Sequence, residues 1–141
     1  MPITYKIDRK VALIRTTCSG DVTVAEVLDH FAALARDPDR PDRLDVFLDL
    51  RPMTSSPSAN EIRQASDVIG RLPATVRFGA CAVVAQRDVL YGMSRMFSVF
   101  AEQFFSAISA FRSAAEAGAW LQAQRAEAPA DRHATVRNSA S

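Results

Sequence analysis

Three short motifs, each a hydroxyl residue followed three positions later by glutamate, mark helix starts along this chain. They are Thr23 with Glu26, Ser58 with Glu61, and Ser113 with Glu116. In such a capping box the hydroxyl accepts a hydrogen bond from the glutamate N–H, and the glutamate carboxylate reaches back to the capping residue. Apolar residues at helical spacing follow each motif, so each predicts a helix.

Apolar, β-rich segments lie before, between and after these helices. Residues 3–8 alternate apolar and polar side chains, and with residues 11–17 they predict an antiparallel pair of strands. Residues 44–50, 76–85 and 107–111 predict three further strands. With another helix over 88–103, the order is ββαβαβαβα. This order predicts an α/β fold with a mixed, mostly parallel five-stranded sheet covered by helices.

The composition fits one globular domain, which we predict over residues 1–124. Residues 125–141 are rich in Ala, Arg and Ser, lose the apolar periodicity, and are predicted to be a disordered tail. A net charge of +1 argues against a nucleic-acid-binding surface. No apolar run reaches the length of a membrane span, and no signal-peptide pattern opens the chain. We therefore expect a cytoplasmic protein.

The residues that carry catalytic or metal chemistry are few and scattered. Cys18 and Cys81 are far apart in sequence and are expected to be free thiols packed on strands. His30 lies outside the apolar arc of its helix and is expected to be solvated, and His133 lies in the predicted tail. Neither a Ser-His-Asp nor a Cys-His arrangement can be assembled. No GxGxxG or P-loop motif is present either. We predict no catalytic residue, metal ligand or cofactor, and an enzyme is the least favoured class.

Residues 46–61 are the most informative stretch for function. An apolar strand ends at Asp49 and Arg51, a loop rich in Pro, Ser and Thr follows, and Ser58 opens a helix. Such a junction directs backbone N–H groups and hydroxyls to one spot, where an anion, a phosphoryl group or a partner protein can bind. The sequence does not distinguish among these three kinds of binding partner. Asp45, four residues before Asp49 and on the same side of the strand, is expected to be solvated.

Three arginines, Arg51, Arg87 and Arg112, each follow a predicted strand. In a parallel sheet they are expected to meet at the carboxyl edge, beside the N-termini of the following helices. Helix dipoles and guanidinium groups together can hold a phosphate or a carboxylate. Arginine is also a common polar residue at strand ends, and this simpler explanation is preferred.

The helix predicted over 88–103 has an unusually large apolar arc, made of Val89, Met93, Met96, Phe97, Phe100 and Phe104. Its other face carries Tyr91 and Arg95. The simplest interpretation is that these apolar side chains belong to the hydrophobic core. Met-rich surfaces also line ligand grooves and subunit interfaces, so an acyl-chain groove or a homodimer interface stays open.

Three short motifs, together with the element order, resemble the STAS domains, the anti-sigma-factor antagonist family of SpoIIAA-like fold. They are Tyr5-Lys6-Ile7-Asp8, Asp49-Leu50-Arg51 and Tyr91-Gly92-Met93-Ser94-Arg95-Met96-Phe97. The chain is most similar to bacterial STAS-like proteins of unassigned role, and the resemblance covers residues 2 to about 122. It implies a SpoIIAA-like fold and a regulatory role through protein–protein interaction.

In the antagonists, a serine in the loop after this strand is phosphorylated within an Asp-Ser-Ser-Gly motif. The resemblance places Ser58 at about that position and implies Ser58 as a phosphorylation site. Here Pro57 stands in place of the Asp, Ala59 in place of the second Ser, and the Gly is missing. Ser58 also has a structural role as a helix cap.

The sequence thus leaves two main hypotheses for function. The first is a non-catalytic STAS-like interaction or regulatory module, which docks a protein partner or a second copy of itself. The alternative is a binder of a small acidic or amphipathic ligand, lipid-like or nucleotide-like, at the strand ends and the groove of the third helix. The candidate binding residues for both are Asp49, Arg51, Ser55, Ser56, Ser58, Arg87, Tyr91 and Arg95.

Overall fold

The computed structural model describes residues 2–72 and 76–127 of the chain. Within them the elements follow the predicted order. The strands are β1 (Ile3–Asp8), β2 (Leu13–Cys18), β3 (Arg43–Asp49), β4 (Arg77–Val84) and β5 (Ala107–Phe111). The helices are α1 (Val24–Ala35), α2 (Ala59–Gly70), α3 (Asp88–Ala101) and α4 (Ala114–Glu127), and a 3-10 turn over Glu102–Phe104 follows α3.

The sheet confirms the predicted α/β architecture. Its five strands lie in the order β1-β2-β3-β4-β5. The first two are antiparallel, and each later strand is parallel to the one before it. Each parallel connection therefore crosses to the adjacent position in the same direction across the sheet. Because such crossovers are right-handed, α1, α2 and α3 all lie on one face.

The two faces of the sheet have different cores. On the face covered by α1, α2 and α3, the largest fully buried side chains include Ile14, Leu34 and Leu44. On the opposite face α4 packs against the sheet, with Ala117 and Leu121 buried against Phe47, Ala80, Ala82 and Val84. The small alanines of β4 allow this close helix packing.

The capping boxes predicted from the sequence form at the starts of α1 and α2. The Glu26 N–H donates to Thr23 Oγ1 at 3.2 Å, and the Thr23 N–H donates to a Glu26 carboxylate oxygen at 2.8 Å. At α4, the Glu116 N–H donates to Ser113 Oγ at 3.3 Å. Local sequence therefore determines where these helices begin.

The last helix continues beyond the predicted domain boundary at residue 124. It ends at Glu127, and Arg125 within its last turn is half-buried. The remainder of the predicted tail, residues 128–141 with His133, lies outside the described residues. The helical geometry of residues 125–127 differs from the expected tail because Arg125 has partners on the sheet.

Asp45 is buried, so the prediction that it is solvated was wrong. Only 2% of its surface is exposed. One carboxylate oxygen accepts from the Ala80 N–H at 2.9 Å, and the other lies 2.5 Å from Nη1 of Arg125. Gly79 makes room for this carboxylate, because a Cβ at Gly79 would lie 2.0 Å from Asp45 Oδ1. The β3–β4 register shifts at the same point, between Leu44 and Val46.

Candidate functional site

The loop between β3 and α2 is held in place by the connection between β2 and α1. The Gly20 N–H donates to the Pro52 carbonyl at 3.1 Å, and the Thr54 N–H donates to the Gly20 carbonyl at 2.8 Å. Gly20 has a φ of +66°, a left-handed conformation that glycine adopts without strain. Ser55 Oγ accepts from the Val22 N–H at 3.1 Å. The loop is therefore a fixed part of the fold, with Ser56 and Thr54 exposed on it.

Ser58 is the N-cap of α2. Its Oγ accepts from the Glu61 N–H at 3.1 Å, and its own N–H donates to a Glu61 carboxylate oxygen at 2.9 Å. Both halves of the capping box are present, and the Ser58 side chain is exposed. The hydroxyl predicted as a phosphorylation site thus has a complete structural role as a cap.

Asp49 and Arg51 form a pair with each other. Nε and Nη2 of Arg51 each donate to a different carboxylate oxygen of Asp49, both at 2.9 Å, and the Arg51 N–H donates to Oδ1 at 3.0 Å. The hydrogen bonds from the Arg51 side chain are the main cause that lowers the pKa of Asp49. The pair therefore fixes the local conformation of the chain at the end of β3.

The strand-end arginines do lie at one edge of the sheet, because β3, β4 and β5 are parallel neighbours. Each of the other two reaches back to the loop of the preceding strand. Nη2 of Arg87 donates to the carbonyls of Met53 and Ser55 at 3.0 and 3.1 Å. Nη1 of Arg112 donates to the Gln86 carbonyl at 3.3 Å and pairs with Asp88 at 2.7 Å. Arg87 and Arg112 thus connect neighbouring loops, whereas Arg51 pairs with Asp49 at the end of its own strand.

The remaining candidates, Tyr91 and Arg95, lie on α3. Tyr91 is half-buried, and the Arg112 guanidinium lies 4.4 Å from the centre of its ring. Arg95 is exposed one turn further along the helix. The structure thus connects Ser55 with Arg87 through the loop and Tyr91 with Arg112, while Ser56, Ser58 and Arg95 face solvent.

The apolar arc of α3 differs in detail from the prediction. Val89, predicted to lie in the arc, is 55% exposed. Leu90 and Ser94 occupy the core side of the helix instead, and both are almost fully buried. Phe100 lies near the surface, with the Arg63 guanidinium 5.8 Å from the centre of its ring. The helix is therefore rotated about its axis relative to the prediction.

A cavity between the sheet and the three helices that cover it is the main feature that the sequence did not reveal. We call it the inter-layer cavity. Its volume is about 160 Å³. Its wall comes from β2, β3 and β4, from α1, α2 and α3, and from Met53 in the β3–α2 loop. The wall is almost entirely apolar, and Ala65, Ser94 and Cys81 bring small side chains to it from three different elements.

His30 lies in the wall of this cavity, so the prediction that it is solvated was wrong. Its ring packs edge-on against Tyr5 and Phe31, with centroid distances of 5.3 and 4.9 Å. Its Nδ1 atom is buried and has no hydrogen-bond partner among residues 2–72 and 76–127. Burial lowers the pKa of His30 to about 4, so the imidazole is neutral at pH 7.

The two cysteines are buried free thiols, as predicted, and both lie in the cavity wall. Burial, with the Asp49 charge as a smaller cause, raises the pKa of Cys18 to about 12. Burial also raises the pKa of Cys81. Both are therefore protonated at pH 7 and behave as small apolar residues.

Metal-binding clusters and membrane-spanning helices are both absent from the described ranges. Within residues 2–72 and 76–127, no group of three or more His, Cys, Asp or Glu side chains is placed to hold a metal ion. In the same ranges, no helix has the length and apolar character needed to cross a membrane.

The strand order, the antiparallel first pair and the helices on both faces define an α/β protein of SpoIIAA-like fold. One solved structure of this fold is a crystal structure of an uncharacterized protein of the DUF3478 family from Shewanella loihica PV-4. It matches this chain with a TM-score of 0.56 and 13% sequence identity, over 84% of this chain and 93% of that chain. No protein-family model matches the chain, and no curated protein does. The similarity confirms the predicted fold and, at this identity, only the fold.

Proposed function

We propose that this chain is a non-catalytic binding module that holds a small, predominantly apolar ligand in the inter-layer cavity. The observation that supports this proposal is the cavity itself. Protein interiors are close-packed, and voids much larger than a water molecule are few. A cavity of about 160 Å³ leaves the apolar side chains of its wall without part of their packing contacts. A ligand that fills the cavity restores these contacts.

The size and the wall of the cavity define the ligand. An apolar cavity of about 150 Å³ stays dry and binds benzene, and the inter-layer cavity has nearly that volume. A ring or short chain of this size fits, while a full-length acyl chain does not. The lining extends to Pro57 and to the exposed Thr23, near the N-terminal ends of α2 and α1, and this is the proposed entry path.

Benzene is the simplest probe of this proposal. At a concentration tenfold above its dissociation constant, we expect benzene to stabilise the protein by about 1.4 kcal/mol and to raise Tm by about 5 °C. Methyl NMR spectra should show the largest shifts at residues of the cavity wall. Ala65→Leu, which fills the cavity from α2, is expected to abolish both effects.

The matched control is Gln64→Leu, since Gln64 is the exposed neighbour of Ala65 on the same helix. This variant should respond to benzene as the unmodified protein does. Absence of any response in the unmodified protein would contradict the proposal. An equal response in the Ala65→Leu variant would contradict it as well, because the ligand would then bind elsewhere.

The loop after β3 supports a second candidate function, the docking of a partner protein. Its exposed residues are held in one conformation by hydrogen bonds from Gly20, Val22 and Arg87, so little conformational entropy is lost on binding. Met53 of the same loop is buried in the cavity wall. A ligand that displaces Met53 would therefore alter the surface presented to a partner.

Ser58→Asp tests this second candidate without loss of the helix cap, because aspartate caps helices about as well as serine. We expect this variant to change the affinity for an identified partner at least tenfold, with the fold unaltered in circular dichroism. Gln64→Glu makes the same charge change on an exposed position of α2 outside the loop, and it should leave the affinity unchanged. Equal affinities for both variants and the unmodified protein would remove the loop from the partner surface.

A further inference from the structure

The inter-layer cavity has one polar feature that the apolar wall does not explain. His30 lies in that wall, and its Nδ1 atom is buried with no hydrogen-bond partner in the described part of the chain. A buried polar atom without a partner costs about 1–3 kcal/mol, and most buried polar atoms in proteins are hydrogen-bonded. A ligand group that forms this bond recovers the cost.

We infer that the ligand of the inter-layer cavity carries one neutral hydrogen-bonding group, and that Nδ1 of His30 binds this group. The inference rests on the proposed function, since it concerns the same cavity. It adds the class of ligand: a compact molecule of about the size of benzene, with an apolar body and one hydroxyl or amide group. A phenol is the simplest member of this class.

The ring of His30 is held in a fixed position. Tyr5 lies beside it on β1, and Phe31 lies beside it on α1. The Tyr5 hydroxyl donates to Asp37 at 2.7 Å, so it is already bonded away from the imidazole. A fixed and neutral imidazole loses little entropy when it forms a hydrogen bond to a ligand.

The charges around the cavity favour a neutral ligand group over an ionised one. Within the described part of the chain, no lysine or arginine lines the cavity. The carboxylate of Glu61, which does line it, is bonded to the Ser58 N–H in the capping box. An anionic head group would therefore be buried without a cation, at a cost of several kcal/mol. Hydroxyl and amide groups avoid this cost.

The test compares three probes with one benzene ring: benzene without a polar group, phenol with a neutral hydroxyl, and benzoate with a carboxylate. Isothermal titration should show that the unmodified protein binds phenol about tenfold more tightly than benzene, as one good hydrogen bond allows. Benzoate should bind more weakly than either. His30→Phe keeps an aromatic ring between Tyr5 and Phe31 but removes both nitrogens, and it should reduce the ratio of phenol to benzene affinity to about one.

Asp29→Asn serves as the control, because Asp29 is the exposed neighbour of His30 on α1. It should leave the affinity ratio of the unmodified protein intact. NMR of the unmodified protein gives a second measurement that needs no variant: the ¹⁵N resonance of His30 Nδ1 should shift with phenol and not with benzene.

The outcomes separate this inference from the proposed function. If benzene binds, and the ratio of phenol to benzene affinity is the same in the unmodified protein and in His30→Phe, the inference is overturned and the proposed function stands. Benzoate as the tightest of the three probes would overturn the neutral character of the group. Binding of none of the probes would overturn the proposed function and the inference with it.

Discussion

Replacement of Asp45 by alanine is expected to lower the free energy of unfolding by about 3 kcal/mol. The change leaves the Ala80 N–H without its acceptor and the Arg125 guanidinium without its carboxylate. Loss of one partner from a buried ion pair costs about 3–5 kcal/mol. Because the Arg125 side chain is 21% exposed and can be partly solvated, the lower end of that range applies. Urea unfolding monitored by circular dichroism measures the effect.

Asp42→Ala is the matched control, since it removes an exposed aspartate three residues earlier. It should change stability by less than about 0.5 kcal/mol. Gly79→Ala provides an independent check, because its new Cβ would occupy the place of the Asp45 carboxylate. The double variant with Asp45→Ala should lose less free energy of unfolding than the two single variants lose in sum. If Asp45→Ala and Asp42→Ala lower the free energy of unfolding equally, the buried carboxylate contributes nothing to stability.

The second large effect is the pH dependence of stability due to His30. Burial lowers the pKa of His30 from 6.5 to about 4 in the folded protein. Between these two values the unfolded chain binds a proton that the folded protein does not bind. Stability must therefore rise with pH across this window, and it is lost as pH falls from about 6.5 towards 4. Integrated over the window, the change is about 3 kcal/mol.

Urea unfolding at intervals from pH 4 to pH 7.5 measures this dependence, and His30→Phe isolates it. Asp37 and Asp49 also have lowered pKa values, mainly through hydrogen bonds from Tyr5 and Arg51, and their contributions to stability are lost at lower pH. The difference between the two proteins removes these shared contributions. A slope between pH 4.5 and pH 6.5 that is the same in His30→Phe would contradict the assignment to His30.

Local sequence signals predicted most of the fold. The strands and helices were correctly ordered because alternation, helical spacing and the capping boxes at Thr23 and Ser58 are local properties. The common edge of the three arginines also followed from the parallel order of β3, β4 and β5. What Arg87 and Arg112 contact did not follow, because the loops that they connect come close only in the folded chain.

The errors concern residues whose surroundings come from distant parts of the chain. The burial of Asp45 depends on Gly79 in β4 and Arg125 in α4, both distant in sequence. His30 lies outside the apolar arc of α1, yet β1 passes beneath that side of the helix and places Tyr5 against it. A helical pattern alone does not show how far a sheet extends under the helix.

The inter-layer cavity had no sequence signal that could have identified it. Residues such as Ala65 and Ser94 are common on the inner side of helices, and Cys81 is an ordinary core residue. The volume that they leave depends on how three helices sit on the sheet. A cavity is therefore a property of packing and becomes visible only in three dimensions.

Helix α4, which covers the second face of the sheet, is synthesised after the strands on which it packs. Ribosomes release a protein from its N-terminus, so β3, β4 and β5 emerge before α4 does. Until residues 114–127 follow, Phe47, Ala82 and Val84 have no cover on that face. The hydrogen bond from Arg125 to the Val11 carbonyl, which joins the last helix to the hairpin at the start, also forms only then. Without α4, the apolar side chains of this sheet face would be exposed to solvent.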